Sequence, residues 1–216
     1  GQGQLMSNGQ IDVYYSGTNY NAGMEMNDTL VENATFNLDG SDNRVRLTND
    51  AKVSGLLKLE NGGCDLNGHK LIIAGDYEQS SSASLSTDDQ SSLEIISMSS
   101  LSSSIAFDQN SNEIDSITIN FAGSGNASFD SDARVISSIM LVNGDMSIES
   151  GSNFSTANNA TIWINEGRIN LNGNATFTNE SAINVTYTGS SKETGAEVMS
   201  GTVAKLWIDL ENEDAS

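Results

Sequence analysis

Proline is absent from this chain of 216 residues, cysteine occurs once, and basic residues number 9 against 29 acidic ones. Each shortage excludes something. A lone cysteine, Cys64, rules out an intrachain disulfide, so a secreted chain of this size would draw its rigidity from backbone ladders. A formal charge of −20 rules against nucleic acid, whose phosphates need a basic surface. It rules equally against an anionic membrane surface. No apolar run approaches the length of a membrane-spanning helix, the longest lying around Leu71-Ile72-Ile73-Ala74. No stretch sustains a 3.6-residue hydrophobic pattern, so helix is not expected. With His69 as the sole histidine and Cys64 as the sole cysteine, zinc has no ligand set. No Pro- or Gly-rich linker divides the chain.

What remains is rich in Asn, Ser, Thr and Gly. That mix can signal disorder. Here, however, the apolar residues fall in short alternating runs, and the runs recur. Pairs stand at Leu71/Ile73, Leu93/Ile95, Ile117/Ile119, Ile139/Leu141, Ile162/Ile164, Ile183/Val185 and Leu206/Ile208. The step from one pair to the next is about 21 to 24 residues. A second series runs Leu85, Phe107, Phe129, Phe154, Phe177. Residues i and i+2 share one face of a strand. A strand returning at that interval is what one coil of a three-faced solenoid requires. The fold class is therefore read as all-β, a right-handed parallel β-helix with about 22–24 residues per coil.

Two longer periods overlie this one. At an offset of about 82 residues, Leu57, Leu59, Gly62, Cys64 and Leu66 return as Ile139, Leu141, Gly144, Met146 and Ile148. At an offset of about 172 residues, Ile11, Val13, Tyr15, Gly17, Gly23, Glu25, Phe36 and Leu38 return as Ile183, Val185, Tyr187, Gly189, Gly195, Glu197, Ile208 and Leu210. Residues 1–216 are expected to form one continuous solenoid segment, cut from a longer, mature chain. It would hold one full long unit and the start of the next, with 11–38 returning as 183–210. Asn61-Gly62, Asn67-Gly68, Asn143-Gly144 and Asn172-Gly173 suit corners with positive φ. Ser-rich stretches at 79–90 and 98–104, and the segment 190–200, read as loops at the corners. The rival fold, two immunoglobulin-like sandwiches, fits the length of the middle period. It does not fit a coil-length step that runs unbroken across the supposed boundary.

Val185-Thr186-Tyr187-Thr188-Gly189-Ser190-Ser191, then Gly195-Ala196-Glu197-Val198, then Leu206-Trp207-Ile208, resembles a recurring unit of long repeat proteins. So does Val53-Ser54-Gly55-Leu56-Leu57-Lys58-Leu59-Glu60-Asn61-Gly62, followed by Asp65-Leu66-Asn67-Gly68-His69-Lys70-Leu71. Those units are similar to the adhesin-like β-solenoid surface proteins of bacteria that export through the type IX route. The resemblance covers nearly the whole chain, and its motifs mark turns and core positions. It implies export, a cell-surface location and a role in adhesion or matrix. It brings no catalytic motif.

Candidate sites are few. Enzymes on β-helices that cleave acidic polysaccharides need clustered carboxylates beside a basic residue. The nine basic residues here are scattered, and the pairs Asp88-Asp89, Asp130/Asp132 and Glu211/Glu213 sit in turns. No catalytic residue is assigned, and the chain is read as non-enzymatic. Calcium takes carboxylate and carbonyl oxygens. Asp39 with Asp42, and Asp130 with Asp132, are weak candidates for Ca²⁺, and no other cofactor is expected. His69 reads as a polar corner residue, and Cys64 as a small buried apolar one. The eight Asn-X-Ser/Thr sequons read mostly as accidents of composition; Asp28-Thr29-Leu30 and Asp115-Ser116-Ile117 resemble an O-glycosylation signal.

Trp163 and Trp207 stand between residues assigned inward, so both are expected to face out. The outward column would read Ile72, Glu94, Thr118, Met140, Trp163, Asn184, Trp207. Met140, Trp163 and Trp207 are the candidate binding residues, unless a corner loop covers them. Expected partners are the rest of the same repetitive chain or like copies, and surface glycans. The preferred reading is an adhesive or structural segment of a secreted cell-surface protein. The alternatives are a filament or sheath subunit and, third, a polysaccharide-active enzyme.

Overall fold

The computed structural model describes residues 9–26, 31–190, 194–199 and 202–210. They form an all-β solenoid of about nine turns. The strand pairs are parallel and join segments one coil apart, as in Ser92–Ile95 with Lys70–Ile73 and with Phe107–Asn120. Helix is confined, among the described residues, to one 3-10 turn, Met24–Met26, and one α-turn, Ala196–Met199. One hydrophobic cluster runs from Tyr15 to Ala196, which disposes of the two-sandwich alternative.

The central ladder is built from the apolar pairs. Leu71, Leu93, Ile117, Ile139, Ile162, Val185 and Leu206 are successive register partners. Ile73, Ile95, Ile119, Leu141, Ile164, Tyr187 and Ile208 form the companion ladder two residues on. Burying one such side chain is worth about 1.5–3 kcal/mol, so each coil holds itself on its neighbours. The rung at the sixth coil is Val185, not Ile183. The strand Ile183–Gly189 buries Ile183, Val185 and Tyr187 alike, so three apolar residues compete for two rungs. Ile183 pairs instead with Val203, across a register shift.

Two further faces close each coil. On one, Ala127, Met146 and Ile169 stack, as do Phe129, Ile148 and Leu171. On the other, Leu85 pairs with Phe107, and Ala133 pairs with Phe154, which pairs with Phe177. The series Leu85, Phe107, Phe129, Phe154, Phe177 is therefore not one ladder. Phe129 belongs to the neighbouring face, bridged to Ile105. Its ring nevertheless lies 6.0 Å from that of Phe107 and 5.3 Å from that of Phe154. The small side chain of Ala133 precedes Phe154 in its ladder, and Phe129 reaches into the interior there from across the corner.

The middle-period echo also joins different ladders. Leu57 pairs with Tyr77, whereas Ile139 belongs to the Leu71–Leu206 ladder. The offset from Leu57 to Ile139 is not a whole number of coils. The long repeat recurs as a local strand pair, although its copies too stand on different ladders, Ala34 pairing with Leu57 and Leu206 with Val185 of the Leu71 ladder. Ile11–Gly17 on Val31–Leu38 has the register Val13↔Ala34, Tyr15↔Phe36, Gly17↔Leu38. Ile183–Gly189 on Val203–Leu210 has Val185↔Leu206, Tyr187↔Ile208, Gly189↔Leu210. Both pairs shift register after their first residue. Gly17 and Gly189 both have positive φ, at 100° and 78°, where a side chain would be strained.

The Asn-Gly corners are real: Gly62, Gly68, Gly144 and Gly173 all have positive φ. The asparagines also tie coil to coil. Asn61 Nδ2 donates to the Leu38 carbonyl at 2.7 Å, Asn67 Nδ2 to Leu47 at 3.1 Å, and Asn143 Nδ2 to Phe121 at 2.9 Å. The stretch 79–90 is not a simple loop, because Ala83–Thr87 is a strand with Leu85 fully buried. Residues 98–104 are irregular and expose Met98. Asp28-Thr29-Leu30, the sequon at Asn27 and the pair Glu211/Glu213 lie outside the described residues.

Candidate functional site

The solenoid sets outward residues in columns, one per coil. Because Ile139/Leu141, Ile162/Ile164 and Val185/Tyr187 face the core, the residues between them face out. Register partners place Ile72, Glu94, Thr118, Met140, Trp163, Thr186 and Trp207 in one column. Met140, Trp163 and Trp207 thus share a face. The residue between the tryptophans is Thr186, not Asn184, for the same reason that Val185 takes the inward rung. Asn184 joins the adjacent column, Ser116, Ser138, Thr161, Asn184, Lys205. Met140 and Trp163 are half-buried between neighbouring coils, and Trp207 is 53% exposed. Lys205 Nζ lies 5.3 Å from the Trp207 ring centroid, a cation–π distance. A shallow recess of about 660 Å³ is bounded by Thr161, Asn184, Thr186, Lys205 and Trp207.

A second concavity, an open groove of about 870 Å³, lies on another side and is lined by Asp42, Arg44, Asp108, Asp130 and Asp132 among polar neighbours. Arg44 was not singled out by its sequence. It crosses three coils: its guanidinium pairs with Asp108, Nε donates to Ser86 Oγ at 3.0 Å, and Nη2 donates to Ser84 Oγ at 3.3 Å. Gly63 makes room for it, since a Cβ there would lie 3.1 Å from Arg44 Cδ and 2.2 Å from the Ser84 carbonyl oxygen. The adjacent Gly-Gly at 62–63 was the available signal.

The groove's carboxyls differ in environment. Burial pushes Asp108 up, but the Asn110 N–H and the Arg44 guanidinium outweigh it and hold the group below the usual range. Asp130 is raised by burial, with the Glu149 charge adding to it. Asp132 Oδ1 accepts the Asn153 backbone N–H at 2.7 Å and its Nδ2 at 3.1 Å. Of the calcium candidates, Asp42, Asp130 and Asp132 line this groove, while Asp39 does not. No group of three or more His, Cys, Asp or Glu among the described residues could hold a metal ion. His69 sits in a turn with Nδ1 3.7 Å from Asp50. Cys64 is fully buried, and that burial pushes its thiol up.

A pH dependence follows from Asp108. Its folded pKa is depressed, so its contribution to stability is present above the unfolded pKa and lost as pH falls through the folded one, below about 4. Thermal unfolding between pH 6 and 2.5 should show Asp108→Asn losing less of its melting temperature in acid than the parent. A parallel fall in both would refute the assignment.

Comparison with family models, with curated proteins and with solved structures finds no match to this chain. The likeness to type IX surface proteins therefore rests on the quoted residues alone.

Proposed function

We propose that this solenoid is a non-catalytic, adhesive and structural segment of a long, secreted bacterial cell-surface protein. The observation that carries the reading is the outward column Met140–Trp163–Thr186–Trp207, held in register on a rigid apolar ladder. An aromatic ring turned largely to solvent adds little to the core, and exposed apolar surface marks a contact. The strongly acidic remainder keeps such a rod soluble. Partners are the rest of the repetitive chain, like copies, or surface glycans.

The test is a double substitution, Trp163→Ser with Trp207→Ser. Retention of the labelled chain on bacterial cells or extracellular matrix should drop at least tenfold. The melting temperature should move by only a few degrees, as for a surface change of about 0.5 kcal/mol. Unchanged retention, or unfolding at much lower temperature, would refute the reading.

One observation favours a second reading, a polysaccharide-active enzyme. Asp108 and Asp130 line one groove and are shifted in opposite directions, as an acid and a base would be. Asp108 is occupied by Arg44, which argues for a structural clasp. Glycan cleavage that Asp130→Asn abolishes would decide for the enzyme.

A further inference from the structure

Polar side chains on the other outward faces bond to one another from coil to coil. Thr176 Oγ1 donates to Asn153 Oδ1 at 2.7 Å, and Ser147 Oγ to Asn126 Oδ1 at 2.8 Å. Arg134 holds both Glu113 and Glu180. Lower on the tryptophan face itself, Lys70 Nζ reaches Glu94 at 3.0 Å and Ser116 Oγ donates to Ser92 Oγ at 3.2 Å. Beside the tryptophans the pattern has a gap, which closes again two residues along, where Thr188 Oγ1 donates to Asn165 Oδ1 at 3.0 Å. The side chains of Thr161, Asn184 and Thr186 have no hydrogen-bonding partner among the described residues, and Lys205 is engaged there only by the Trp207 ring. Two rings are thus flanked by hydroxyl, amide and ammonium groups that remain available. That combination suits a ligand with apolar faces and hydroxyl edges, which is a sugar.

The spacing narrows the class. Trp163 and Trp207 are two rungs apart, with Thr186 between them, so their backbones are separated by about 10 Å along the rod axis. In a β-1,4-linked glycan with equatorial linkages, successive rings turn over, and every second ring offers the same flat face. Its two-sugar advance is close to two rungs. Helically coiled α-linked glycans do not hold that repeat in a straight line. Charge narrows the class again. From Ser116 and Thr118 onward the two columns contain no carboxylate, and Lys205 is their only charge, on a chain whose net charge of −20 would repel a polyanion.

We infer that the Trp163–Thr186–Trp207 column and its Thr161–Asn184–Lys205 neighbour form a binding track for an uncharged β-1,4-linked polysaccharide lying along the solenoid axis. The inference rests on the adhesive reading and names the ligand class for the same face. Sugars n and n+2 stack on the two rings. Thr186 faces the sugar between them, and Asn184 and Lys205 bond the hydroxyl edges. Met140, one rung below Trp163, extends the apolar floor.

The test titrates the intact chain with cello-oligosaccharides of two to six units, followed by calorimetry and by quenching of its two tryptophans. Affinity should rise at least tenfold between the disaccharide and the trisaccharide, the first probe able to reach both rings. Trp163→Ala should abolish that step, and Trp163→Phe, which still stacks, should restore most of it. Malto-oligosaccharides and polygalacturonate should bind at least tenfold more weakly. Absence of binding, no dependence on length, or equal affinity for the α-linked or acidic probes would overturn the inference. If every oligosaccharide fails while cells still retain the parent and not the double tryptophan variant, the ligand class is wrong and the adhesive reading stands. If cells also fail to distinguish them, both fall.

Discussion

Truncating Phe129 to alanine should destabilise the solenoid by about 3–5 kcal/mol, and denaturant unfolding is the direct measurement. Phe129 is fully buried. Its ring lies within 6.0 Å of Phe107 on one side and within 5.3 Å of Phe154 on the other. These two belong to a different face, so Phe129 is the contact that joins two walls across a corner. Backbone ladders on either side are parallel and fixed by their own hydrogen bonds. The walls therefore cannot close inward to fill the gap, which places the cost toward the upper end of the range. Apart from long clasps such as Arg44 to Asp108, each coil packs against its neighbours, so the damage should centre on the coils around residues 105–154. Hydrogen exchange should show protection lost there first and kept longest around Leu57 and Leu59. A loss below about 1 kcal/mol would mean that the core collapses around the cavity.

The example also shows which part of the fold was legible. The period was, because each coil must bury an i, i+2 pair and the chain has few apolar residues to place elsewhere. Leu71, Leu93, Ile117, Ile139 and Ile162 were all placed on one ladder by spacing alone, and the register agrees. Spacing does not say which of three faces a residue occupies, however. Phe129 falls on the same count as Phe107 and Phe154 yet belongs to the next wall. Where three inward residues alternate, as at Ile183, Val185 and Tyr187, spacing does not choose the two that pair. The tryptophan column survived that slip because Trp163 and Trp207 are register partners of Thr186 on either side; only the residue between them changed. Leu206 and Ile208, which flank Trp207, are themselves exposed, unlike Ile162 and Ile164 beside Trp163. Arg44 was not legible. Its partners Ser84, Ser86 and Asp108 lie 40 to 64 residues away, and although Arg44, Gly63 and Ser84 fall on one ladder, spacing does not show that a side chain reaches past the intervening coil.

The long repeat was visible as identities, but the bonds those identities make were not. Tyr187 Oη donates to Glu197 Oε1 at 2.5 Å, and the Gly195 N–H donates to the same oxygen at 2.7 Å. Tyr15, Glu25 and Gly23 make the same two bonds, both at 2.8 Å. The unit fastens the short helical turn after each repeat strand back onto the coil. The two copies differ in burial. Glu197 is fully buried, and its Oε2 has no hydrogen-bond partner, whereas Glu25 is only half-buried. Removing the phenolic oxygen should therefore cost more at the second copy. Tyr187→Phe strips one of two donors from a carboxyl that water does not reach, and should destabilise by about 1.5–3 kcal/mol. Tyr15→Phe leaves Glu25 open to water, which replaces the lost donor, and should cost about 1 kcal/mol or less. Adding Glu197→Leu to Tyr187→Phe should recover part of the loss, because the stranded carboxyl is gone and the pair is coupled. Denaturant unfolding of these variants against the parent reads this directly. Equal losses at the two copies would show that burial of the carboxyl does not set the cost, and that the tyrosines act mainly through the packing of their rings.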